Sequence, residues 1–241
     1  MRYANLFDVL GVARRSQEDE GRRDRRADAI TERGSSDSRS LQRKYRVTSW
    51  LYDVLDYPWE RKYRRWRARL VGDMAGRVLE AGVGSGRNLQ YYPANAEVHG
   101  IDLSAGMLRH AHRRARRAAC RVNLENADAT HLPHLLVASF DWYVSTFMYC
   151  VMPDASQPLA LAEMARLLRP GGHFRLLEMV YSNDPKLRRR QERFAPFVER
   201  VYGARFDRRT LDHVRATPGL RVDGAEFLER DVYLLIEGHR G

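Results

Sequence analysis

The sequence predicts an α/β fold: a doubly wound, mostly parallel sheet of seven strands whose last strand runs antiparallel, preceded by a helical cover. Three observations carry this expectation. Short apolar runs alternate with helical stretches from residue 76 onward, the pattern of a parallel sheet with crossover helices. A turn with three glycines follows the first apolar run, and acidic residues stand at the ends of the first three. The chain closes on two apolar runs, LRVDGAEFLER and DVYLLIEGHR, which read as an antiparallel pair.

The elements follow in order. Residues 1–40 mix both charge signs with Ser and Gly and are expected to be flexible. Their first dozen residues carry Leu6, Phe7, Val9, Leu10 and Val12, enough for a short amphipathic helix that packs on the domain or touches a membrane, with packing or fraying preferred. The domain proper is expected over residues 41–241. Residues 41–70 place aromatics at helical spacing among arginines and read as two helices broken near Pro58. Strands are predicted at Gly76 to Ala81, Glu97 to Asp102, Val122 to Asn126, Phe140 to Phe147 and His173 to Met179. Helices are predicted between them, over Gly86 to Tyr91, Ala105 to Ala119 and Pro158 to Leu168. RPGGH, residues 169–173, supplies the Pro and Gly that stop the last of these helices and admit the next strand. A basic helical stretch, Pro185 to Tyr202, and a short helix, Arg209 to Ala216, precede the closing pair.

With 241 residues, 44% of them hydrophobic, the chain can bury one sizeable core, which excludes a wholly disordered or fibrous protein. It carries 42 Lys and Arg against 31 Asp and Glu, a net charge of +11. Only Lys44, Lys62 and Lys186 are lysines, so the excess is arginine. Such a surface favours anionic partners: nucleic acid, an anionic membrane leaflet or an acidic substrate. The excess is also uneven, with +6 in residues 41–70 and +5 in residues 182–215, against +1 in residues 1–40, +1 in residues 71–181 and −2 in residues 216–241. A coding bias towards arginine explains the residue type but not this clustering. Cys120 and Cys150 are too few for a disulfide framework and lack zinc spacing, which points to a reducing compartment and to no metal. No apolar run approaches the ~18 residues that a membrane span requires, so a cytoplasmic chain, at most peripheral to the inner face of a membrane, is expected.

The most informative stretch is RVLEAGVGSGRN, residues 77–88. A strand ends in Glu80, and Gly82, Gly84 and Gly86 allow the sharp turn and close ligand approach that a Cβ would prevent. Asp102 ends the next strand, where a carboxylate can accept both hydroxyls of a ribose. Asp128, in NADAT, ends the third, so a doubly wound sheet puts all three acids on one edge. The loop reads GxGxG after an acid, and Arg87 stands where a dinucleotide fingerprint places its third glycine. It therefore suits a ligand without phosphates better than a nicotinamide dinucleotide.

Taken in order, EAGVGSG, GIDLSAGML, NADATHLP, FDWYVSTFMYCVMPD and LLRPGGHFRLLEMV resemble the motif series of class I S-adenosylmethionine-dependent methyltransferases, over roughly Tyr45 to Arg240. The resemblance implies a Rossmann-like fold, S-adenosyl-L-methionine as cosubstrate and no metal. It also implies roles residue by residue. Glu80, Gly82, Gly84, Gly86 and Asn88 would shape the methionine end of the pocket, and Asp102 would hold the ribose. Leu103 and Met107 would flank the adenine, Asp128 and Ala129 would meet its amino group, and Ser145, Thr146 and Tyr149 would face the methyl group. The flanks SWLYDVLDYPWERKYRRWRARL and ERFAPFVERVYGARFDRRT are similar to those of bacterial phosphatidylethanolamine N-methyltransferases and their neighbours, the quinone-ring and thiol methyltransferases. This places Tyr45 and Tyr52 in a helical cover over the cosubstrate and residues 182–215 in a basic insertion on the acceptor side. A small or lipid-like acceptor follows, with a phospholipid amine at a membrane surface first and a quinone ring or small thiol as the alternative. Quinone enzymes usually carry Asp where this chain has Glu80.

An ammonium, thiol or phenol acceptor must lose a proton, and Tyr149, His131 and Glu178 are the catalytic candidates for taking it, with Tyr181 beside them. His110 and His112 lie on the arginine-rich run RHAHRRARR and read as solvated charge. An RNA-binding protein or RNA methyltransferase is the alternative from another class. The basic surface favours it, and STFMY in place of an NPPY-like tetrapeptide after the fourth strand speaks against it.

Overall fold

The computed structural model describes residues 57–241, with side chains from Tyr63 onward. The polar segment 1–40, the first cover helix, Tyr45 and Tyr52 lie outside the described residues.

Helix α1 (Tyr57–Val71) carries Pro58 in its first turn, where a missing N–H breaks no hydrogen bond, and buries Tyr63, Leu70 and Val71. Seven strands follow: β1 (Gly76–Ala81), β2 (Ala96–Asp102), β3 (Arg121–Asn126), β4 (Phe140–Thr146), β5 (Leu168–Met179), β6 (Leu220–Glu229) and β7 (Tyr233–Arg240). The helices between them are α2 (Ala105–Ala115), α3 (Gln157–Leu167), α4 (Pro185–Tyr202) and α5 (Thr210–Ala216). The strand order is β3-β2-β1-β4-β5-β7-β6. Strands β1 to β5 are parallel, and β7 runs antiparallel to both β5 and β6. The chain winds outward from β1 to β3, then returns to β4 on the other side of β1. That reversal opens a crevice at the carboxyl edge between β1 and β4.

Both faces of the sheet are covered, which is why its central strands read as continuous apolar runs. Alternation along β1 sends Val78 and Glu80 to one face and Leu79 and Ala81 to the other. The first face packs on α1 and α2 through Leu70, Val98, Leu108 and Ala111. The second packs on α3 and α5 through Leu161, Met164 and Val214. Arg175 of β5 fastens the end of α1 to the sheet: its guanidinium binds Asp73 (Nη2, 2.9 Å), Glu237 of β7 (Nε, 2.8 Å) and the Leu70 carbonyl (3.0 Å). Among the described residues no helix is long and apolar enough to cross a membrane.

The expected seven-stranded Rossmann-like sheet is therefore present, with three local corrections. The helix expected over Gly86 to Tyr91 does not form. Residues 82–91 make successive tight turns instead, with Gly86 N–H on Val83 O (2.9 Å), Leu89 N–H on Gly86 O (3.3 Å) and Tyr91 N–H on Asn88 O (2.8 Å). Gly86 has φ +80°, outside the helical region, and Pro93 has no N–H to continue a ladder. Helix α2 stops at Ala115 rather than Ala119, because its last bonds tighten to Arg117 N–H on Arg114 O (2.9 Å) and Ala118 N–H on Ala115 O (3.1 Å). RPGGH is a bulge inside β5 rather than a turn before it. Phe140 pairs with Leu168 and Trp142 with His173, so two steps along β4 correspond to five along β5.

Two left-handed glycines separate backbone strain from packing. Gly86 and Gly171 have φ +80° and +70°; a Cβ on Gly86 would lie 2.9 Å from the Ala111 Cα, whereas one on Gly171 would meet nothing within 4 Å. Gly171→Ala is expected to cost about 1 kcal/mol, the left-handed penalty alone. Gly86→Ala is expected to cost about 3 kcal/mol, because steric displacement adds to it. Urea unfolding of both variants measures the difference; equal losses would remove the packing role assigned to Gly86.

Candidate active site

The site begins where β1 ends. Gly82 and Val83 donate their N–H groups to Ile101 O (2.9 and 3.0 Å), which ties the glycine turn to β2. Gly82, Gly84 and Gly86 all have positive φ, but they do different work. A Cβ on Gly82 would meet the Met148 side chain at 2.8 Å, whereas one on Gly84 would project into open space, its nearest neighbour 3.9 Å away. Gly84 thus leaves bare backbone beside open space at the carboxyl edge.

Glu80, near the end of β1, is only 2% exposed. Its Oε1 accepts from Asn88 Nδ2 (2.7 Å) and its Oε2 from the Tyr92 hydroxyl (3.0 Å). Asn88 Nδ2 also donates to Thr146 Oγ1 (3.0 Å), and Asn88 Oδ1 accepts from Arg67 Nη1 (2.6 Å). The tight turns carry Asn88 back over the end of β1, and α1 delivers Arg67 to the same face. Burial pushes the Glu80 carboxyl up to about 7 against the pull of Asn88, Tyr92 and Arg67. Burial and the neighbouring Glu80 also hold the Tyr92 phenol well above its usual range.

Asp102 ends β2 beside the glycine turn. One oxygen accepts the Gly84 N–H (2.8 Å) and the other the Ser104 N–H (2.8 Å), so each keeps a further lone pair for a ligand. Burial raises this carboxyl to about 6, and the two backbone donors oppose the shift. Ser104 then caps α2 by accepting the Met107 N–H (3.3 Å), which fixes half-buried Leu103 and buried Met107 next to Asp102. Asn126 Nδ2 (2.7 Å) and Ala127 N–H (3.2 Å) both bind Asp102 O, joining the ends of β2 and β3. Just beyond, Asp128 Oδ1 accepts the Thr130 N–H (2.9 Å) and hydroxyl (2.7 Å), with Ala129 buried between them.

Hydrogen bonds thus link Glu80, Asn88 and Thr146 directly, and link the glycine turn to Asp102; the residues expected at the adenine end follow β2 and β3. The remaining candidates are dispersed. Ser145 lies on the opposite face of β4 from Thr146, fully buried, with no hydrogen-bond partner for its Oγ among the described residues. The Tyr149 hydroxyl is turned into the core against the Tyr143 hydroxyl (3.1 Å). Burial and the Tyr143 contact push its phenol well above the usual range. Glu178 is buried on the face opposite Glu80 and accepts the Tyr149 N–H (3.1 Å) and the Cys150 N–H (2.7 Å); burial raises it to about 8. His131 is exposed in the turn after Asp128, and Tyr181 stacks under the Arg188 guanidinium at 4.9 Å. Among the described residues, no cluster of three or more His, Cys, Asp or Glu gathers to hold a metal.

Arg67 and Tyr92 escaped the sequence analysis. In RRWRARL, composition marks no single arginine. Position 67 does fall four residues after Tyr63 and three before Leu70, on the buried stripe of α1, and that spacing was the available signal.

The profile of a family described as "Methyltransferase domain" matches residues 78–172. Phosphatidylethanolamine N-methyltransferase of Cereibacter sphaeroides is 32% identical over 161 residues, covering 66% of this chain and 77% of the relative. A ubiquinone/menaquinone biosynthesis C-methyltransferase of Syntrophotalea carbinolica is 33% identical over 132 residues, 52% of this chain; the match spans only about half, 54%, of that relative's own length. Among solved structures, geranyl diphosphate C-methyltransferase from Streptomyces coelicolor, in complex with geranyl diphosphate and S-adenosyl-L-homocysteine, superposes with a TM-score of 0.59 at 15% identity, covering 76% of this chain and 82% of that one. The N-methyltransferase NodS from Bradyrhizobium japonicum gives 0.56 at 16% identity, covering 77% and 98%. These two share the fold. Together with the motif series and the sheet order, the relatives establish that the chain belongs to the class I S-adenosylmethionine-dependent methyltransferases.

Proposed function

We propose that the enzyme transfers a methyl group from S-adenosylmethionine to a phospholipid amine or a similar lipid-like acceptor at a membrane surface. The observation that carries the cosubstrate site is the buried chain Arg67–Asn88–Glu80, together with the open backbone at Gly84 and the Asp102 carboxylate that its N–H binds. In this reading Glu80 draws the ammonium of the methionine end directly or through water, and Asp102 takes the ribose hydroxyls. Leu103 and Met107 flank the adenine, and Asp128 and Ala129 meet its amino group. Thr146, held by Asn88, stands nearest the methyl end, and Tyr45 and Tyr52 belong to the cover. The cosubstrate supplies a sulfonium methyl with a good leaving group for in-line displacement. The protein's part is to desolvate and align the acceptor, and a strong base is not required. Tyr149, His131 and Glu178 are the candidates for taking up a proton; Glu178 does so only once ionised, and burial, by raising its carboxyl to about 8, keeps it mostly protonated at neutral pH.

The acceptor assignment draws on the N-methyltransferase relative and on the two basic segments, residues 41–70 and 182–215. In the second, α4 exposes Phe194 and Phe197 (62% and 57%) on one stripe with Arg190, Arg193 and Arg200. Apolar rings among arginines suit an anionic lipid surface. A quinone ring is the second reading, favoured by the C-methyltransferase relative. In either case residues 41–241 constitute the methyltransferase domain, with 41–70 as cover and 182–215 on the acceptor side.

Three outcomes are expected. Glu80→Gln and Asp102→Asn should each weaken S-adenosylmethionine binding by tenfold or more, about 1.5–3 kcal/mol for a hydrogen bond to a charged group, as read by titration calorimetry. A loss of less than twofold relative to wild type in both variants would place the cosubstrate elsewhere. Because burial raises Glu80 to about 7 and Asp102 to about 6 in the free protein, and a cationic ligand favours the ionised carboxylate, binding should release protons. Affinity should climb from pH 5.5 to 7.5 and flatten above, with the upper step absent in Glu80→Gln; a flat profile contradicts the assignment. Finally, incubation with labelled cosubstrate and a lipid extract should label phosphatidylethanolamine, with vesicle binding stronger on anionic than neutral lipid and about threefold weaker in Phe194→Ser/Phe197→Ser. Label confined to quinones, thiols or RNA would replace the acceptor.

A further inference from the structure

Arg67 stands where the spacing of α1 calls for an apolar residue. It falls on the buried stripe with Tyr63 and Leu70 and is itself only 7% exposed. Burying a guanidinium is expensive, and an apolar side chain of similar length would fill the place at lower cost. What the arginine supplies there is a donor of fixed sense, because a guanidinium donates hydrogen bonds and cannot accept them. Its Nη1 meets Asn88 Oδ1 at 2.6 Å, so the Asn88 amide has to present its oxygen to α1 and its nitrogen to the site.

That orientation is coupled to the state of Glu80. With its nitrogen turned inward, Asn88 donates to Glu80 Oε1 (2.7 Å) and to Thr146 Oγ1 (3.0 Å), which suits an ionised carboxylate, since that group only accepts. A reversed amide would offer Glu80 its oxygen and fit only the protonated acid. Arg67 thus selects the amide face that matches the ionised form, and its positive charge favours the same form. The other groups that act on Glu80 differ in sense. The Tyr92 hydroxyl donates to it as a neutral phenol, Asp102 opposes its ionisation, and burial holds the Cys120 thiol towards its neutral form.

We propose that Arg67 is a positioning residue of the cosubstrate site: by fixing the Asn88 amide it holds Glu80 and Thr146 in the arrangement that receives the methionine end of S-adenosylmethionine. The proposal rests on the reading of Glu80 as the partner of the methionine ammonium. Arg67 acts through Asn88 and need not touch the ligand, so α1 serves the site by setting the sense of a hydrogen bond rather than by lining the pocket. Because Thr146 accepts from Asn88, its own hydroxyl proton stays available to donate.

Titration calorimetry of the full chain with S-adenosylmethionine at about pH 7 and about pH 9 tests it, each variant being compared with wild type at the same pH so that the ligand's own titration cancels. Arg67→Met removes both donor and charge. It should weaken binding about fivefold at the lower pH and by less than about twofold at the higher, as for a carboxyl that ionises at about tenfold lower proton concentration. Arg67→Lys keeps donor and charge and should stay within about twofold of wild type throughout, whereas Arg67→Gln, which keeps a donor alone, should lose about threefold at the lower pH. In the Glu80→Gln background, Arg67→Met should add no pH-dependent loss. A loss as large at the higher pH as at the lower would leave Arg67 a packing role only and overturn the proposal. Losses below about twofold at the lower pH in both Arg67→Met and Arg67→Gln would overturn it as well. Should Arg67→Met fail to fold, Arg67→Gln set against Arg67→Lys decides the same question. If Glu80→Gln itself binds as wild type does, the cosubstrate reading fails first, and this inference with it.

Discussion

A carboxyl group buried at the end of the central strand has to be given partners, and that requirement organises this site. Glu80 is carried inward because β1 alternates with a period of two and its face is covered by α1. An isolated charge there would be expensive. Asn88 and Tyr92 meet the need from the turns that follow, and the three left-handed glycines are what bring the chain back far enough for them to reach. Arg67 then completes Asn88, so α1 and the glycine turn answer to the same buried group. The bare backbone at Gly84 and the placement of Thr146 follow from this arrangement.

The sheet reversal between β1 and β4 gives the rest of the molecule its division. On one side, β2 and β3 end in Asp102 and Asp128, joined by hydrogen bonds across their last residues. On the other, Glu178 of β5 holds the segment after β4 through two backbone N–H groups, on the opposite face from Glu80. The two buried acids therefore anchor different loops of one crevice. Arg175 ties the last turn of α1 to both β5 and β7, so the end of this helix is fixed to the half of the sheet that does not hold the glycine turn. Desolvation dominates the shift of Glu80, Asp102 and Glu178 alike, and all three sit at the same edge, a concentration of perturbed carboxyls found where function needs them.

Much of the fold was legible because the central strands are covered on both sides and announce themselves as apolar runs. β1 and α4 match their expected bounds, and the closing antiparallel pair was visible from two runs and a turn. The misread elements are those decided by backbone sign or by distant pairing. At residues 86–91 the order of strand, glycine turn and helix suggested a helix, and the positive φ of Gly86 overrode it. In RPGGH the turn chemistry was plain, but its extrusion as a bulge depends on Phe140 and Trp142, which lie far away in sequence. Within the site, the acids and glycines stood out because few other roles explain them at those spacings. Ser145 and Thr146 were read together although consecutive strand residues point to opposite faces. Tyr149 was placed by its order in a motif, whereas its side chain follows Tyr143 into the core.

The Asn88 network also bears on how the protein ages. Deamidation of an asparagine requires the next residue's amide nitrogen to attack the side-chain carbonyl, which must rotate to meet it. Here that carbonyl is bound by Arg67, the amide nitrogen by Glu80 and Thr146, and the Leu89 N–H is directed to Gly86 O. Attack geometry is denied at each atom. The alternative would be severe, since an aspartate at this position would set a second carboxylate against Glu80. The contacts that orient the site thus also confer chemical durability on the residue that could least tolerate hydrolysis.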